Sequence, residues 1–557
     1  MSIRFTRSCA WRRVGGALLC LGLAACTNRV PAALDGSAQD GALRDAGPGG
    51  DASPRDARRT DGGGGDLSGD PTVAHTMTGL VRGKLLGKVR AHLGIPYAAP
   101  PVGGLRFGHP QPLTSWSGVR ETTALGPSCP QKPSTLTSLP NRYSEDCLTL
   151  NVWAPFPAPS KPAPVMVFIH GGGFTLGGSA QPLYDGTALV EQTGVVLVTF
   201  NYRLGPLGFL AHARTPYGGN AALYDQRAVL RWVKQNIGAF GGDGTNVTVF
   251  GESAGSVSVC AHLVSPEATG PLNRAIMESG PCSGNLLTLA EAQAQGKALA
   301  EKLGCESATD VQTCLGSKST QEVLDALPTK DAMIFGTGVS WGPVAGTPYL
   351  PAQPAALMKA GSFAKVPLLL GTNRDEGTLF VLLGGLLATT AAQYPGLATT
   401  AFGAKAPQVL AQYPLSSYAS PAHAIADLLG DVGFVCPTRR TARAAVAGGV
   451  SSTYLYHFTQ PPSFALVPFL AVFHTAELPF VFQNPGGAKP LTAEEQQLAR
   501  SMLGYWTRFA ATGDPNGGGA PAWPAYAAGS DQHLELGPTI KVGSGLKQAA
   551  CDFWDGL

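Results

Sequence analysis

Charge is scarce in this chain: Asp, Glu, Lys and Arg together make 14% of its 557 residues, against about 25% in an ordinary soluble domain. A charge-stabilised coiled coil is excluded. Forty Lys and Arg against 37 Asp and Glu leave a net charge of +3, too little for binding nucleic acid through neutralised phosphates. No stretch after the N-terminus is apolar for the length of a bilayer crossing, and the mean hydropathy of +0.06 excludes a multi-spanning membrane protein. The H-E-x-x-H, Walker and dinucleotide-binding patterns are also missing, so neither a metal nor an organic cofactor is expected. Gly (72) and Pro (45) are plentiful, and 44% of the residues are hydrophobic, enough to fill a large core.

The N-terminus reads as a targeting segment rather than as structure. Arg4, Arg7, Arg12 and Arg13 precede an apolar stretch from Val14 to Ala25 that is too short for a transmembrane helix. It ends in Leu23-Ala24-Ala25-Cys26, which resembles a bacterial lipobox. That resemblance implies a signal peptide over 1–25, lipidation of Cys26 and, with Thr27 rather than Asp following, an outer-membrane anchor; cleavage without lipid, giving a secreted protein, is the alternative. Residues 26–72 read as a tether. Gly, Asp and Ala make up more than half of 27–72 and no residue there is aromatic, so the segment cannot bury enough apolar surface to offset its ordering entropy. Its root-mean-square reach is about 40 Å. Asp recurs there nearly every fifth position, without the ligand spacing of an EF-hand loop.

From Val73 to the end, short apolar runs alternate with amphipathic stretches, the pattern of an α/β sheet protein, and 73–557 reads as one domain. Strands are predicted at Val165–Ile169, Val195–Phe200, Val247–Phe250, Ala275–Glu278, Val366–Leu370 and Thr453–Phe458. Several are apolar throughout, so helices should cover both faces of the sheet. Helices are predicted over Leu223–Ile237 and Thr492–Thr512, the second opened by a Thr492/Glu495 capping box and closed by Gly513.

The sequence Gly251-Glu252-Ser253-Ala254-Gly255 carries the chemistry. G-x-S-x-G alone is a weak signal in a Gly-rich chain, but here a β-branched strand runs directly into it and a helical stretch follows, the context of a nucleophile elbow. A serine hydroxyl needs a base to take its proton, and a tetrahedral intermediate needs donors aimed at its oxyanion. His170-Gly171-Gly172-Gly173 follows the strand Val165–Ile169 with bare backbone, and Ala254 supplies the amide after the nucleophile. The acid and histidine should then follow in that chain order, which leaves His423, His457, His474 and His533. His457 lies in an apolar run and reads as a core residue.

Gly94–Pro101, Ser144–Asn151, Asn201–Phe209, Asp225-Gln226, Asn236–Asp243 and the elbow form an ordered set that resembles the carboxylesterase type B (cholinesterase–carboxylesterase) family of α/β-hydrolases from about Thr78 to the C-terminus. The resemblance implies an α/β-hydrolase fold with a large, mostly parallel sheet and helices on both faces. It further implies a serine carboxylesterase with Ser253, Glu376 and His474 as triad and Gly172, Gly173 and Ala254 as oxyanion donors. Asp375, beside Glu376, stays open as the acid. The family's pairs imply disulfides Cys129–Cys147, Cys305–Cys314 and Cys436–Cys551, while Cys260 reads as a buried free thiol and its pairing with Cys282 has no spacing rule behind it.

Pro130–Asp146 lacks the Trp that receives the choline cation in cholinesterases, so choline-ester specificity is not expected. Pro343–Gly346 lacks the Asp of the family's P-V-[VI]-D-G segment. The expected partner is a small-molecule ester, with the membrane met through the lipid anchor only and no nucleic acid. The alternatives are a lipase or other specialised ester hydrolase, or an adhesion module of the kind that loses the nucleophile.

Overall fold

The structure, a computed structural model, describes residues 69–557 except 135–138, 140–141, 269, 285, 330–337 and 488. The signal segment, Cys26 and the tether up to residue 68 lie outside the described residues.

Eleven strands form one sheet: β1 (Lys84–Leu86), β2 (Val89–Pro96), β3 (Thr149–Pro155), β4 (Ala163–Ile169), β5 (Val196–Phe200), β6 (Gly242–Glu252), β7 (Arg274–Glu278), β8 (Leu368–Asn373), β9 (Thr453–Phe458), β10 (Gln532–Leu536) and β11 (Lys541–Ser544). Their order is β11-β10-β9-β8-β7-β6-β4-β5-β3-β2-β1. The block from β10 through β5 is parallel, and antiparallel pairs lie at both edges.

The apolar runs form strands because both faces are covered. In β4, Val165, Val167 and Ile169 pack into the core on one face and Met166 and Phe168 into the core on the other, the period of two that a pleated strand imposes. Helices α1 (Ala221–Asn236) and α2 (Ala254–Val264) pack on the first face. On the second lies α3 (Ala493–Thr512), with Leu498, Met502, Trp506 and Phe509 turned inward. Its Thr492/Glu495 capping box forms as expected and Gly513 ends it at φ 86°.

Strand limits move where backbone chemistry dictates. Strand β8 starts at Leu368 rather than Val366, after Pro367, which has no N–H to give to a ladder. Strand β6 runs from Gly242, earlier than its β-branched residues suggest, because its parallel pairing with β4 extends back to Ala163↔Gly242.

Among the described residues four disulfides cross the fold. Cys129–Cys147, Cys305–Cys314 and Cys436–Cys551 are paired as the resemblance implies. Cys260 is a correction: it is not a free thiol but is bonded to Cys282. The pairing depends on α2 packing beside the turn after β7, a contact invisible to sequence spacing.

Candidate active site

Strand β6 ends at Glu252 and α2 begins at Ala254, leaving Ser253 as the single residue of the turn, at φ 56°, ψ −122°. Neighbours hold this strained conformation in place. Ser253 N donates to Glu278 O at 2.9 Å. A Cβ at Gly255 would overlap the Ile169 carbonyl oxygen, and one at Gly251 would meet the Gly255 backbone, so glycine on both sides lets β6, α2 and β4 close around the serine. Ala254 opens α2, and its N–H is among the first amides that have no partner within a helix.

The carboxyl ends of the neighbouring parallel strands bring up the other groups. Glu376 follows β8 and is fully buried. Its Oε1 accepts from Ser279 Oγ at 2.6 Å and from Asn373 N at 2.7 Å. Its Oε2 accepts from His474 Nδ1 at 2.6 Å. Asp375 turns away, with its Oδ2 accepting from Val472 N at 2.9 Å and Arg374 Nε at 3.0 Å. Of the two adjacent carboxylates, Glu376 and not Asp375 meets the imidazole.

His474 sits in the loop after β9, between Ala471 at φ 49° and Thr475 at φ 78°. A β-branched residue in the left-handed region is costly and persists only where packing over-determines it. Phe380 and Phe434 pack on the imidazole at centroid distances of 5.0 and 4.8 Å. The ring's Nε2 faces Glu252 Oε1 at 3.1 Å, and among the described residues it makes no hydrogen bond to Ser253. His457 lies within β9 beside His533, and burial lowers its pKa to about 3, in keeping with a core residue.

Sequence reasoning missed the acidic surroundings of His474. Burial raises Glu252 to about 8, against the pull of His474, and Glu477 to about 7. Glu278 is likewise pushed up by burial and accepts from Trp506 Nε1 at 2.6 Å. Burial alone would lower His474, but the carboxylates of Glu252 and Glu376 outweigh it and hold the imidazole at about 9. Glu252 flanks the serine and Glu477 lies three residues past the histidine, the only signal the sequence offered. Ser279 and Asn373, which fix the acid, gave none.

The loop after β4 completes the site. Gly172 and Gly173 adopt φ of 112° and 60°, and among the described residues their amides donate to no backbone carbonyl. His170 stacks on Tyr202 at 4.4 Å, and burial lowers its pKa to about 4, so it braces the loop as a neutral ring. Gly171–Gly173, Ser253 and His474 all line one cavity of about 690 Å³, walled by Leu183, Leu327, Trp341, Leu379, Phe380 and Leu383. Strained serine, buried acid–imidazole pair and bare amides facing one apolar cavity form a constellation suited to acyl transfer.

The carboxylesterase family profile matches residues 70–554. The chain belongs to the carboxylesterase family. An acetylcholinesterase of Bungarus fasciatus is 36% identical over 522 residues, covering 86% of this chain and 85% of the snake protein. A cholinesterase of Mus musculus is 34% identical over 535 residues, covering 86% of each chain. This carboxylesterase is thus a serine hydrolase of carboxylic esters with the α/β-hydrolase fold. Its eight paired cysteines fit an exported protein. Among the described residues no helix is long and apolar enough to cross a membrane.

Proposed function

We propose that Ser253, His474 and Glu376 are the catalytic triad, with the amides of Gly172, Gly173 and Ala254 as oxyanion hole. The observation that carries this assignment is the 2.6 Å bond between Glu376 and His474 Nδ1, set beside the strained Ser253 on the same cavity wall. His474 Nε2 takes the Ser253 proton as Oγ attacks the ester carbonyl, and Glu376 fixes the tautomer and stabilises the imidazolium. The alcohol leaves with that proton. Water, deprotonated by the same nitrogen, then releases the acid from the acyl-enzyme. Nε2 faces Glu252 in the resting site and swings to the neighbouring Ser253 when substrate arrives, since catalytic hydrogen bonds commonly tighten only in the complex.

The cavity favours neutral esters with apolar substituents. Among its described lining residues Lys132 is the only Lys or Arg and Glu252 the only Asp or Glu, and Lys132 is paired with Asp325 at 3.3 Å. With no Trp in Pro130–Asp146, a choline-type cation lacks a cation–π platform in that loop. The domain is held at a membrane through lipidated Cys26 after removal of residues 1–25, on a tether ending near 72.

Ser253→Ala tests the assignment. It should lower kcat on p-nitrophenyl esters by several orders of magnitude with the fold retained, and Ser253→Ala/His474→Ala should be scarcely worse. A variant keeping more than about a tenth of kcat, a loss of only about 1.4 kcal/mol, contradicts it.

A further inference from the structure

We propose that the Cys260–Cys282 disulfide is a bracket that positions the nucleophile elbow against the segment holding the triad acid. The inference rests on the triad roles proposed above and adds a positioning element outside the family's three disulfides.

The turn that leaves β7 touches two members of the triad within four residues. The Glu278 carbonyl accepts from Ser253 N at 2.9 Å. Ser279, at φ 50°, gives its Oγ–H to Glu376 Oε1 at 2.6 Å and its N–H to Gly371 O at 2.9 Å. Gly280 lies so close that a Cβ there would overlap the Ser253 carbonyl oxygen, and its own carbonyl accepts from Ser256 Oγ in the first turn of α2. Cys282 follows after Pro281.

Cys260 sits on α2, seven residues or about 10 Å along the helix from Ser253. The bridge to Cys282 therefore closes a ring that runs down α2, across the sulfurs and back through Ser279 to the elbow. Cys282 N also donates to Thr441 Oγ1 at 3.1 Å and Ser283 Oγ to Pro437 O at 2.6 Å, which fixes the far end on the helix Cys436–Ala447. Both cysteines are buried, at 1% and 2% exposure, so the bond is shielded from solvent thiols. Cutting it frees the turn to shift relative to α2, and the group that moves with it is Ser279, the side-chain donor opposite His474 on the Glu376 carboxylate.

The test compares wild type with Cys260→Ser/Cys282→Ser, and with Cys260→Ala/Cys282→Val, which replaces the sulfurs by apolar volume should the serine pair fail to fold. Active sites are counted by stoichiometric reaction with a fluorophosphonate, so that kcat refers to competent sites alone. The bracket predicts a fall in kcat per site of tenfold or more with KM within about twofold. It also predicts that Ser279→Ala, costly in wild type, costs less than twofold in the disulfide-free background, because residues acting through one unit are non-additive. If the disulfide only stabilises, its removal lowers the melting temperature and leaves kcat per site and the cost of Ser279→Ala unchanged, which overturns the proposal. Failure of wild type to titrate at Ser253 would overturn the triad assignment and the bracket with it, whereas a titratable variant of unchanged kcat overturns the bracket alone.

Discussion

The residue on which the pH behaviour of the proposed triad turns is Glu252, the neighbour of Ser253. Burial pushes Glu252 itself up, so it and His474, 3.1 Å apart, titrate as a pair, and where Glu252 is ionised its charge joins that of Glu376 in holding a proton on His474, against the effect of burial. Only a neutral imidazole can take the serine proton, so activity rises with pH as His474 deprotonates, and a raised pKa moves that rise upward. Glu252→Gln removes one of the two charges. The acid limb of the kcat/KM profile on a neutral ester should then move down by about one unit or more, toward the ordinary histidine range. An unmoved or raised limb would show that Glu252 does not govern the imidazole. Glu376, by contrast, has both oxygens fully engaged, by Ser279, Asn373 N and His474, which suits a carboxylate that orients the imidazole without accepting its proton.

At the scale of elements, the elbow works because strand and helix meet without room for a side chain. Gly255→Ala would drive a Cβ into the Ile169 carbonyl oxygen at the end of β4, and backbone cannot yield as a side chain tip can. The substitution should cost at least about 3 kcal/mol in urea unfolding and also lower kcat, since the oxyanion loop follows Ile169 directly. A variant of native stability and rate would contradict the close packing. The elbow, the glycine loop, the six predicted strands and the capped helix were legible because each is written in local pattern: β-branched runs, glycine pairs, a Thr–Glu spacing of three. Ser279 and the Cys260–Cys282 bond were not legible, because each meets its partner only after β6, β7 and β8 lie side by side, whereas the Asn373 N–H meets Glu376 three residues on, within the turn after β8. Local pattern could not choose between Asp375 and Glu376, which depends on which carboxylate the turn after β8 aims at the loop of His474; only the family resemblance pointed to Glu376. Of nine non-glycine residues at positive φ among the described residues, five, Phe174, Ser253, Ser279, Ala471 and Thr475, lie at or beside the site, as functional sites tend to arrange.

At the scale of the whole molecule, the sheet carries the site at one end of its parallel strands, and the proposed anchor at Cys26 is tested apart from it. On the tether proposed above, proteolysis between Gly36 and Gly69 should release a fully active enzyme. Cys26→Ala should remain exported and active but lose detergent-phase partitioning, each lost acyl methylene removing about 0.8 kcal/mol of membrane affinity. If that variant still pelleted with membranes after a high-salt wash, apolar surface on the domain itself would be binding lipid.

The central claim is that Ser253 becomes covalently acylated, and trapping the adduct tests it most directly. A fluorophosphonate should lose fluoride to Ser253 Oγ, and peptide mass mapping should place one adduct per chain on the peptide containing Gly251–Gly255. Labelling should vanish in Ser253→Ala and slow by orders of magnitude in His474→Ala, where no base takes the proton. An adduct on another residue, or unlabelled Ser253 in a protein that still hydrolyses esters, would contradict the account.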